Sequence, residues 1–91
     1  METQGKIQVG EIVLSKAGHD KGELFLVKEI VGEYALICDG KTRKVTKPKK
    51  KKIKHLFKTG QVCNWVAEQP CRVNNTSVKK AIREMIKKEE V

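Results

Sequence analysis

Two β-favouring apolar runs, Ile12-Val13-Leu14 and Leu24-Phe25-Leu26-Val27, stand on either side of a polar loop, Ala17-Gly18-His19-Asp20-Lys21-Gly22. Runs this short, separated by a glycine-containing loop, predict a strand, a tight connection and a second strand folded back on the first. The expected strands are Glu11–Ala17 and Glu23–Val31. Gly22 lets the chain turn where a Cβ would clash, and His19, Asp20 and Lys21 occupy the loop tip.

The pattern continues downstream. Gly32-Glu33 makes a short turn, and Tyr34–Cys38 reads as a third strand. Asp39-Gly40 predicts a two-residue hairpin turn, which would place a fourth strand at Lys41–Thr46, near an edge and stopped by Pro48. Ile53, Leu56 and Phe57 would supply a fifth. Short strands joined by tight turns suit a small antiparallel barrel or a curled sheet. Phe25 and Phe57 are expected in its core, and Tyr34 at its surface. Residues 1–8 read as a flexible lead-in, 9–57 as the β domain and 58–73 as a connector containing Gly60 and Pro70. Asn74-Asn75 supplies candidate N-caps for a helix over 74–91. There Val78, Ala81, Ile82, Met85 and Ile86 share one face, opposite Lys79, Lys80, Arg83 and Lys87.

A chain of 91 residues supports one domain with a modest core. No apolar run approaches the length that crosses a bilayer. Met1–Lys6 lacks a basic region followed by an apolar stretch, so no secretory leader is expected and the cytoplasm is the expected location. Cys38, Cys63 and Cys71 form no C-x-x-C pair, so no zinc site is expected. Cys63 and Cys71 could in principle pair, but a cytosolic setting favours reduced thiols.

The net charge of +9 is concentrated. Residues 1–40 carry a net −3 and residues 59–91 a net +2, whereas residues 41–58 hold ten Lys or Arg and no acid. Clustered charge of this kind makes a local field that attracts polyanions.

Three pieces together, the loop Ala17–Gly22, the turn Asp39-Gly40 and the run Lys47-Pro48-Lys49-Lys50-Lys51-Lys52-Ile53-Lys54-His55-Leu56, resemble bacterial KOW-domain RNA-binding proteins related to eukaryotic and archaeal large-subunit ribosomal protein fourteen. The resemblance covers roughly residues 8–57, and the helix beginning Val78-Lys79-Lys80-Ala81-Ile82 is similar to their tail. It implies a mainly β fold, an SH3-like antiparallel barrel of KOW type with a C-terminal amphipathic helix. It also implies RNA binding and association with the ribosome or translation.

The candidate RNA contacts follow. Lys16, His19 and Lys21 lie in the loop. Arg43 and Lys44 lie on the expected fourth strand, where alternation lets only one face a shared groove. Lys47, Lys49, Lys50, Lys51, Lys52 and Lys54 form the basic block. Four adjacent lysines cannot all face a core, so they are expected in solvent, where each neutralised phosphate releases counterions. Lysine discriminates little between bases, and no RNP-like aromatic pattern is present, so backbone and shape recognition of structured RNA is expected. The plainer alternatives are a solubilising charge run and an ordinary turn in which Asp20 bonds backbone amides. The same lysines would also suit an acidic protein partner of the transcription or translation machinery.

His19 and His55 have no evident acid and nucleophile partners. The chain lacks G-x-x-x-x-G-K-[ST], G-x-G-x-x-G and H-E-x-x-H motifs. A non-enzymatic monomer without cofactor is therefore expected.

Overall fold

The computed structural model describes residues 6–90, with side chains as far as Ile86. Five strands, β1 (Glu11–Ser15), β2 (Leu24–Val31), β3 (Tyr34–Cys38), β4 (Lys49–Lys52) and β5 (Leu56–Val62), form one antiparallel sheet in the order β4-β3-β2-β1-β5. Two helices follow, a single turn α1 (Trp65–Glu68) and the long α2 (Asn75–Glu90). The lead-in expected over residues 1–8 falls outside the described residues as far as Gly5; Ile7 is buried in the core.

Strand alternation divides the apolar residues between two layers. Val13, Phe25, Val27, Ala35, Ile37 and Leu56 pack with Ile7 on the inner face. Ile12, Leu26 and Cys38 point the other way and pack with Val45, Val66, Val78 and Met85 under the helices. Both faces of the sheet are therefore apolar along β1 and β2, which explains why their runs read as continuous rather than alternating.

The first three strands lie where the sequence predicts, within two residues. The fourth does not. Asp39-Gly40 forms no two-residue hairpin turn: the Asp39 carboxylate accepts from the amides of Lys41 (2.9 Å) and Arg43 (2.7 Å), which winds residues 39–43 into the start of a longer connection between β3 and β4. The strand is the lysine run itself, starting just after Pro48, a position where the missing donor costs no ladder bond. The fifth strand runs through Val62, well into the expected connector, while Ile53 sits in a 3₁₀ turn, Ile53–His55.

That turn constrains the shape of the sheet. β4 and β5 are its two edges and are not hydrogen-bonded to each other. In a flat sheet they would lie about 19 Å apart, at about 4.8 Å per strand. Three intervening residues span at most about 15 Å fully extended, and less when wound as a 3₁₀ turn. The sheet must roll toward its inner face, and irregularities in β1–β5 and β2–β3 pairing provide the bends.

On the outer face, α2 is held at its start by a cap. Asn74 Oδ1 accepts from the Ser77 amide (2.8 Å) and Ser77 Oγ accepts from the Asn74 amide (3.0 Å). Val78 and Met85 are buried, Ala81 and Ile82 half-buried, and Ile86 is exposed. Phe57, expected in the core, is 48% exposed. It follows Leu56 on an edge strand, and alternation turns it to the outer face beyond the helix.

Candidate nucleic-acid interface

The loop between β1 and β2 is built by its own backbone. Gly22 N donates to Ser15 O (2.9 Å), Lys21 N to Gly18 O (3.2 Å) and Glu23 N to Asp20 O (3.0 Å). Gly18 and Gly22 take φ values of 87° and 90°, which only glycine adopts without strain. Lys16 N donates to His55 O (2.8 Å), so the loop and the 3₁₀ turn form one ledge. Lys16, His19, Lys21 and Lys54 are exposed on it.

Asp20 points inward from the same loop. Lys51 Nζ lies 2.6 Å from its Oδ1, Lys49 Nζ 2.9 Å from its Oδ2, and Ser15 Oγ donates to Oδ1 at 2.7 Å. Lys51 Nζ also donates to Ala17 O (2.7 Å). Burial opposes ionisation of Asp20, but the hydrogen bonds from Lys51, Ser15 and Lys49 outweigh it and hold the carboxyl well below its usual range. The four lysines of β4 are therefore not equivalent. Lys49 pairs with Ile37 and Lys51 with Ala35 across the ladder, so both face inward. Lys51 is only 8% exposed. Lys50 and Lys52, opposite Leu36 and Tyr34, face outward. The expectation that the whole run is solvated fails for Lys51, because once the run is a strand its alternate members must enter the end of the core.

Lys50 Nζ stands 4.6 Å from the centre of the Tyr34 ring. Arg43, Lys44 and Lys47 are exposed on the loop between β3 and β4 rather than on a strand. This loop is fastened at Val45, whose carbonyl accepts from Lys28 Nζ (3.0 Å) and whose amide donates to Asn75 Oδ1 (2.9 Å). The sequence-predicted residues thus separate into the ledge, the β4 strand and this second loop. Asp20 joins only the first two.

The sequence offers Asp20 as a loop-tip contact or, more plainly, as a turn residue bonding backbone amides; neither reading includes its ion pairs, and none singles out Ser15, Glu11 or Lys58. Glu11 is fully buried at the opposite end of the inner core. It accepts from Lys58 Nζ at 3.1 and 3.0 Å, from Gly60 N at 3.2 Å and from Gln8 N at 3.2 Å. Lys58, one of the ten cations of the basic segment, is thereby committed to the fold. The signal available was parity: Glu11, Val13 and Ser15 alternate onto one face, so an acid and a hydroxyl flank a buried valine and require partners.

Among the described residues no group of three His, Cys, Asp or Glu side chains could hold a metal ion. Cys38, Cys63 and Cys71 are free thiols. Neither a protein-family model nor a curated protein matches the chain.

Proposed function

We propose that the rolled sheet is an SH3-like barrel of the KOW type and that the protein is a non-enzymatic, monomeric, cytoplasmic RNA-binding protein. It recognises structured, ribosomal RNA through backbone contacts and acts at the ribosome or in translation. The observation that carries this reading is the ion-paired seat of the β1–β2 loop. The one acid at the loop tip is turned inward and compensated by two lysines, which leaves Lys16, His19, Lys21 and the neighbouring Lys54 presented outward on a fixed ledge. The held backbone presents these cations side by side, so only their side chains lose freedom on meeting phosphates. Of the described residues, no helix is long and apolar enough to cross a membrane.

A second reading, a module that binds an acidic protein partner of the transcription or translation machinery, has one observation in its favour. Beside α2, Leu14, Leu24, Phe57 and Met85 line an open groove of about 360 Å³, and exposed apolar surface of this kind suits protein contact.

Sedimentation with ribosomes before and after ribonuclease treatment, paired with titration of a structured ribosomal RNA fragment at several salt concentrations, separates the two. Ribonuclease-sensitive co-sedimentation and affinity that falls steeply with salt are expected. Co-sedimentation that survives ribonuclease, without salt-dependent RNA binding, would give the protein-partner reading the lead.

A further inference from the structure

The outer face of the sheet is covered by α2 and α1 only in part. The apolar layer beneath the helices takes in Ile12 of β1, Leu26 of β2 and Cys38 of β3. Further along β3 on this same face come Leu36 and Tyr34, both half-buried. Val31 pairs with Tyr34 from β2 and is 48% exposed. Lys52 pairs with Tyr34 from the other side, and Lys50 places its ammonium over the ring at 4.6 Å. One aromatic ring is thus flanked by an exposed aliphatic side chain on β2 and by two cations on β4.

We propose that this half-face is a second RNA subsite that takes an unpaired nucleotide, its base stacked on Tyr34 and its flanking phosphates met by Lys50 and Lys52. The inference rests on the RNA-binding reading above and adds to it a specificity for interrupted helices. Stacking needs only a π face, and every base has one. The cation now lying on the ring is held by an exposed cation–π contact, a weak interaction in water. A base can therefore displace it, and the freed ammonium meets a phosphate instead. The charges set the direction of the strand: Glu29, which pairs with Leu36 from β2, repels phosphates on that side, so the backbone runs along β4. Lys49 and Lys51 take no part, because both are engaged with Asp20 on the other face.

The test uses the full chain and two labelled RNA hairpins, one with a fully paired stem and one whose stem carries a single bulged nucleotide. Fluorescence anisotropy should give roughly tenfold tighter binding to the bulged stem. Tyr34→Ala should abolish that difference and leave paired-stem affinity within about twofold, while Tyr34→Phe should retain it, in line with the range of base–aromatic stacking. Circular dichroism checks the fold of each variant. Independently of any variant, a photoreactive 4-thiouracil at the bulge should crosslink the wild-type protein at Tyr34 or its strand neighbours, located by mass spectrometry. Equal affinity for the two stems, or crosslinks confined to the loop Lys16–Gly22, would overturn the subsite while leaving RNA binding intact. Failure to bind either stem would overturn both readings.

Discussion

Lys51 and Asp20, 31 positions apart, meet at 2.6 Å at one end of the inner core and tie the β4 edge to the β1–β2 loop. Removing the cation alone leaves a buried carboxylate with Lys49, which is partly exposed, and Ser15. Lys51→Ala should therefore cost about 3 kcal/mol, whereas Lys50→Ala, on the solvent side of the same strand, should change stability by no more than about 0.5 kcal/mol. Urea unfolding of the two variants checks this, and equal stabilities would refute it.

The same pair predicts an acid limb. The Asp20 carboxyl is held below its ordinary value of about 3.9 in the native state, so the unfolded chain binds the extra proton. The stabilisation is complete above the unfolded value and is lost progressively as pH falls below about 5 and on through the native value. Asp20→Asn should flatten this dependence and lower stability at neutral pH, where Lys51 loses its charged partner. Urea midpoints measured from pH 2 to pH 7 test both points.

Two glycines with similar dihedrals should respond differently. Gly40 has φ of 78°, and a Cβ there would collide with the Asn75 carbonyl oxygen at the start of α2. Gly22 has φ of 90° with open space around it, so the clash expected of a Cβ there does not arise and only the positive φ calls for glycine. Gly22→Ala should cost about 1 kcal/mol, the conformational penalty alone. Gly40→Ala should cost about 2–3 kcal/mol, because α2 must also shift. Thermal melts rank them, and a reversed order would contradict the contact.

The outward cations of the ledge are the ones expected to set salt dependence. Replacing Lys16, Lys21 and Lys54 with Ala should leave the fold intact and flatten the slope of log K against log salt by about 2–3 units, at about 0.7–0.9 per phosphate contact. Loss should be similar across RNA sequences. An unchanged slope in a folded triple variant would move the interface away from the ledge.

Thiol reactivity should follow burial. Burial pushes the Cys38 thiol up to about 11, against a smaller opposing effect of Lys28. Burial also raises Cys63, with Glu84 adding to the effect. Cys71 is exposed. Alkylation at pH 8 should modify Cys71 first, Cys63 more slowly and Cys38 only on unfolding. Early labelling of Cys38 would argue against the packing of the outer apolar layer that buries it.

What the sequence conveyed was local. Gly18 and Gly22 flanking a polar tip located the first hairpin, and the spacing of Val78, Ala81, Ile82 and Met85 located α2, because turn chemistry and helical period are written within a few residues. The fourth strand lies further along because Asp39-Gly40 is also the signature of a wider Asx-type turn, and because lysine has low strand propensity. Only the ladder to β3 and the carboxylate of Asp20, 31 residues upstream of Lys51, make a strand of Lys49–Lys52. The candidate contacts were legible as charge. Their division into inward and outward members was not, since parity has meaning only once the strand is placed.

The character of β4 has one more consequence. An edge strand presents unpaired amides and carbonyls, a template on which another chain can add. β4 begins after proline, consists wholly of lysine and points two of those lysines inward. An incoming strand would have to bring its backbone against the outward ammonium groups of Lys50 and Lys52, so this edge of the sheet is poorly suited to seeding aggregation.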